Sequence, residues 1–105
     1  MGSKSKKPNV VSDRTWQGHQ SWNRELIENI SGKRVRFTIK VDAYDFQSWA
    51  KAELWNGEKW NSVHHIPGQQ VKAFGKVSYV SRTCAPSVFE PDINELRAVV
   101  KGVLL

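Results

Sequence analysis

The chain holds one cysteine, Cys84, and one methionine. A lone cysteine excludes an intrachain disulfide and any zinc site built on paired cysteines; it suits a reducing compartment, and a cytoplasmic location is expected. No stretch approaches the ~18 apolar residues of a membrane-spanning helix. Near the start only Val10-Val11 is apolar, too short for the core of a secretory signal. The phosphate loop G-x-x-x-x-G-K-[ST], the dinucleotide fingerprint G-x-G-x-x-G and the catalytic patterns H-E-x-x-H and G-x-S-x-G are all missing. Neither an enzyme nor a cofactor is therefore expected. Histidines are few: adjacent His64 and His65 would point to opposite sides of a strand and His19 stands apart, so no metal site is expected.

Acidic residues are scarce in the first forty positions: Asp13, Glu25 and Glu28 face nine lysines and arginines. Residues 41–105 carry seven of each sign, so the whole formal charge of +6 belongs to the first part of the chain. Clustered positive charge attracts an anionic partner, because local potential steers association and phosphate contacts release counterions. A solvated basic surface without a partner is the plain alternative. With 105 residues, 39% of them hydrophobic and 25% charged, the composition is that of one folded domain rather than a disordered chain. Residues 1–12, with three lysines and a proline, read as a flexible basic tail, and residues 13–105 as a single α+β domain.

Within that domain, residues 13–20 read as an irregular segment around Trp16. Ser21 suits an N-cap, and Trp22, Leu26 and Ile30 recur every four residues, which predicts a helix over 22–31 ended by Gly32. Residues 33–43 alternate strictly: Val35, Phe37, Ile39, Val41 and Ala43 against Arg34, Arg36, Thr38, Lys40 and Asp42. That is a strand with one core face and one cationic face. Asn56-Gly57 signals a hairpin between strands Ser48–Trp55 and Glu58–Ile66. A two-residue loop would set Trp55 opposite Glu58; a four-residue loop would set it opposite Trp60. Residues 70–82 suit a further strand, bent at Gly75. A last helix starts near Asp92, whose spacing to Glu95 is that of a capping box, and carries the stripe Ile93, Leu96, Val99, Val100, Val103. The expected fold is α+β: an antiparallel sheet of three to four strands, a meander with an Asn-Gly hairpin, covered on one face by an N-terminal and a C-terminal helix.

The helix–strand–strand–strand–helix order is similar to that of the double-stranded-RNA-binding domain. The likeness is one of topology. Asp92-Ile93-Asn94-Glu95 opens the last helix with acids where that family has lysines, and residues 70–82 add a strand, so no binding residue carries over.

The chemistry expected of the chain sits on the polar sheet face. Lys33, Arg34, Arg36 and Lys40 of one strand would lie beside Trp49, Lys51 and Trp55 of the next. Cations neutralise phosphates and indoles stack on bases, which is the pairing that nucleic acid needs. Alternatively the tryptophans point inward, or pack on lysine and arginine stems. A second expectation is a protein-interaction module: Trp55, Trp60, Val103, Leu104 and Leu105 would anchor a protein partner or a second copy of the chain, since tryptophan and arginine dominate protein interface hot spots. In size, basic tail and lack of catalytic motifs the chain is similar to small bacteriophage accessory proteins that inhibit or adapt a host protein. Cys84-Ala85-Pro86-Ser87 matches no nucleophile signature and reads as a buried thiol.

Overall fold

The computed structural model of the protein describes residues 9–77 and 84–105. Five strands, β1 (Val10–Gly18), β2 (Ser21–Ile30), β3 (Lys33–Asp42), β4 (Trp49–Trp55) and β5 (Trp60–Pro67), form one antiparallel sheet in chain order. A single α-helix among the described residues, α1 (Glu90–Val103), follows near the C-terminus. It packs across β3, β4 and β5 on one side of the sheet.

Alternation in β3 decides which side. Val35, Phe37, Ile39 and Val41 are wholly buried, joined by Ala50 and Ala52 of β4 and Ile66 of β5. Phe89, Ile93, Leu96 and Val100 come down on them from the helix segment. The register aligns Val35 with Leu54, Phe37 with Ala52 and Ile39 with Ala50, so small alanines under the helix let it approach closely.

The N-terminal helix does not form; residues 21–30 are strand β2, which raises the strand count to five. The spacing that suggested a helix is ambiguous, because steps of four are also even and keep Trp22, Leu26 and Ile30 on one strand face. The positions between them on that face are Arg24 and Glu28, both buried, and charge there hides the alternation. Arg24 is held by Asp13 at 2.9 and 3.0 Å, by Glu90 at 2.6 Å and by the Pro86 carbonyl at 3.0 Å. Burial would lower the Arg24 pKa, but its hydrogen bonds to Asp13 and Glu90 prevail and raise it. Glu28 accepts two bonds from Arg97 of α1, at 2.7 and 3.1 Å. Both charges thus tie the sheet to its flanks, and no buried side-chain nitrogen or oxygen among the described residues lacks a partner.

Gly32 has the left-handed conformation expected of it, but for a different purpose. Ser31 and Gly32 have φ of 53° and 79°, the paired positive values of a type I′ turn, and they join β2 to β3. Of residues 13–20, expected to be irregular, 13–18 are strand in β1 and 19–20 form the turn to β2. As an edge strand β1 has little apolar patterning to reveal it. Residues 1–8 of the basic tail lie outside the described residues, and β1 takes up from Val10.

The Asn56-Gly57 hairpin has the longer loop: Trp55 pairs with Trp60, and the Asn56 side chain accepts from the backbone N–H groups of Glu58 (2.8 Å) and Lys59 (2.9 Å). A bulge at Val63 shifts the register beyond Ala52. The strand expected over 70–82 is absent from 70–77, where hydrogen bonds from Val71 to Gly68, Phe74 to Val71 and Lys76 to Ala73 make successive turns; residues 78–83 lie outside the described residues. Asp92 accounts for the difference. It does not cap its own helix but accepts from the backbone N–H groups of Lys72 (2.7 Å) and Ala73 (3.0 Å), which a sheet ladder would otherwise use. Burial pushes the Asp92 carboxyl up, against those two donors. Gly68 closes the same corner: a Cβ there would meet the Asp45 carbonyl at 1.6 Å, so only glycine lets the 45–47 and 68–70 turns touch.

Candidate functional site

With α1 on one side, the other side of the sheet is covered by no described element. Pairing registers set its side chains in rows. Across the first row stand Trp16, Asn23, Lys40, Trp49 and Pro67; across the second, Arg14, Glu25, Thr38, Lys51 and His65. The third row holds Ser12, Ile27, Arg36, Glu53 and Ser62. Asn29 and Arg34 lie at the far end, on the same side as the Trp55–Trp60 pair. Four of the five tryptophans therefore share the open face, and only Trp22 turns to the core.

Five cations (Arg14, Arg34, Arg36, Lys40 and Lys51) accompany two carboxylates, Glu25 and Glu53. The middle of the face is internally compensated. Arg36 meets Glu53 at 2.8 Å and Glu25 at 4.0 Å; Arg14 meets Glu25 at 3.3 Å, and Lys51 meets Glu53 at 3.7 Å. Three of these cations also lie over indoles: Arg36 over Trp60 and Arg14 over Trp16, each 4.5 Å from the ring, and Lys51 over Trp49 at 5.1 Å. Such contacts contribute about 0.5–1 kcal/mol each at exposed sites. Trp55 and Trp60 tilt against each other with centroids 5.3 Å apart. Toward the ends of β3, Lys40 and Arg34 form no ion pair with a described residue.

Of the residues expected to act together, Arg34, Arg36, Lys40, Trp49, Lys51 and Trp55 do share this face. Lys33 does not: it has the parity of the core residues and lines a cleft on the helix side. Arg14, Trp16, Glu25 and His65 belong to the face as well. They were hidden because β1 and β2 were not read as strands; the Ser31-Gly32 turn was the signal that could have revealed them.

The second residue set is also partly assembled. Lys33, Leu54, Trp55, Val63, Val103 and Leu104 border an open, largely apolar cleft of about 510 Å³ between the hairpin and the end of α1. Val103 on its border is exposed, and Leu105 at the chain end is fully exposed and does not line it. Trp60 stays on the opposite side of the sheet, where its ring makes a tilted contact with Trp55. His64 lies opposite Ala52 on the helix side and His65 opposite Lys51 on the open side, so the adjacent histidines do not converge. Burial pushes the Cys84 thiol up, away from the thiolate that a nucleophile needs. No protein family, curated protein or solved structure matches the chain.

Proposed function

We propose that the protein is a non-catalytic module that binds nucleic acid on the open sheet face. One observation carries the reading: four tryptophans and five lysines and arginines share a sheet surface that no described element covers. Cations there neutralise phosphates while indoles offer flat surfaces to bases. The excess of positive charge in residues 1–40 favours the same class of ligand.

Salt is the direct test. Each phosphate held on a single strand contributes about −0.7 to the slope of log K against log salt, so two to four contacts give about −1.4 to −2.8. Binding measured by fluorescence anisotropy should therefore weaken about 7- to 50-fold between ~50 and ~200 mM salt. Absence of binding to any polynucleotide at ~50 mM salt would overturn the reading. The apolar cleft bordered by Trp55, Val103 and Leu104 favours a protein-interaction module instead, and it is the reading left standing by that result.

A further inference from the structure

Charge is distributed along the open face in a way that narrows the ligand further. Glu25 and Glu53 sit in its middle, each bonded to neighbouring cations, and Arg14, Arg36 and Lys51 are occupied by them. A phosphate laid across that centre would meet two carboxylates and would have to displace existing ion pairs. Two places are different. Lys40 pairs directly with Trp49 near one end of β3 and β4. Arg34 stands on the same side as Trp55 and Trp60 toward the other. Each place combines a cation without an ion pair to any described residue with an indole. Trp55 lies six positions after Trp49 on β4, and Lys40 six positions after Arg34 on β3, so the two places lie about 20 Å apart at ~3.3 Å per residue.

We propose that the face binds single-stranded nucleic acid at two stations, Lys40/Trp49 and Arg34/Trp55, with the strand bridging the carboxylate-bearing centre. The inference rests on the nucleic-acid reading above and specifies its substrate. A duplex keeps its bases stacked on one another and offers none to an indole, whereas a single strand turns its bases out. Between the two cations β3 carries Arg36, already paired with Glu53 and Glu25, and the uncharged Thr38, so neither offers a free charge in the path. Occupying both stations makes the second contact intramolecular, which raises affinity by ~10²–10⁴ over a ligand that reaches only one.

Fluorescein-labelled oligothymidylates decide the matter: a dinucleotide, a strand of about twelve nucleotides within the ~4–16 nucleotide range of single-strand sites, and a duplex of the same length. At ~50 mM salt the long strand should bind at least ~100-fold more tightly than the dinucleotide. It should also bind clearly more tightly than the duplex. Trp49→Ala and Trp55→Ala should each weaken the long strand about 5- to 150-fold, with Trp49→Phe and Trp55→Phe recovering most of the loss. Arg34→Ala and Lys40→Ala should each reduce the salt slope by about 0.7. Circular dichroism verifies folding, and the exposed Trp55 decides the test alone if Trp49→Ala does not fold. Duplex binding as tight as the single strand, or indifference to the tryptophan variants, with salt dependence intact, overturns the two-station inference and leaves the basic-face reading standing. Binding of no oligonucleotide at all overturns both.

Discussion

Arg24 occupies a position where the neighbouring strand residues on the same face are Trp22 and Leu26, and its side chain is only 7% exposed. Removing a guanidinium from water costs several kcal/mol unless geometry repays it. Here Asp13 does so with two parallel bonds, a fork that lysine could not reproduce, and Glu90 and the Pro86 carbonyl complete the set. The two carboxylates are more open, 40% and 44% exposed. The asymmetry makes a prediction. Arg24→Met removes the buried charge and leaves two acids that water can solvate, so urea unfolding should show a loss below about 1.5 kcal/mol. The double variant Asp13→Ala/Glu90→Ala strands the arginine and should cost about 2–3 kcal/mol, less than a fully buried pair because both acids are half-open. The reverse ranking would mean that the arginine holds the helix segment chiefly through the Pro86 carbonyl.

At the scale of elements, the β2–β3 turn carries more of the fold than its two residues suggest, because it sets the register of a ten-residue pairing from Ser21–Asp42 to Ile30–Lys33. Gly32 has open space around a hypothetical Cβ, so a substitution there is penalised by backbone conformation alone. Gly32→Ala should destabilise by about 1–2 kcal/mol, the cost of a left-handed alanine. Ser31→Asn should raise the melting temperature, since asparagine followed by glycine is the preferred type I′ pair. Thermal unfolding followed by circular dichroism checks both; a neutral Gly32→Ala would mean that the turn relaxes to another geometry. The same turn marks where sequence reading succeeded and failed. β3, the hairpin after it and the last helix were legible because each shows one clean period: two in Val35–Val41, a turn dipeptide at Asn56-Gly57, a helical stripe from Ile93 to Val100. β2 was not, because its inward face mixes Trp22, Leu26 and Ile30 with the paired charges of Arg24 and Glu28, whose partners lie 11 to 69 residues away. The 71–77 segment failed for a related reason: it is β-rich in composition, but a carboxylate 20 residues downstream takes its N–H groups. Most of the candidate site follows from β3 and β4; for Arg14, Trp16 and Glu25 on β1 and β2 the one local sign is the Ser31-Gly32 turn, and the buried charges of Arg24 and Glu28 mask the alternation beside it.

The whole molecule is two-sided, and the sides have separate work. One carries α1 and nearly all of the buried apolar surface; the other carries tryptophans, cations and two carboxylates that hold one another in place. Stability and binding should therefore respond to different substitutions. Leu96 is wholly buried on α1, and Leu96→Ala should cost about 2–5 kcal/mol through lost transfer energy and the cavity left behind. Arg34 is exposed and without an ion pair to any described residue, so Arg34→Ala should change stability by no more than about 0.5 kcal/mol. Affinity for a polynucleotide should show the opposite pattern: weaker with Arg34→Ala, unchanged with Leu96→Ala at a temperature where both variants are folded. The reason is geometric. The backbone of β3 presents Arg34, Arg36 and Lys40 on one side because Val35, Phe37 and Ile39 are clamped on the other, and a cavity under the helix leaves that alternation intact so long as the sheet is paired. A loss of affinity in folded Leu96→Ala would show that the core sets the angle of the open face as well as its existence, and the two sides would have to be treated as one coupled unit.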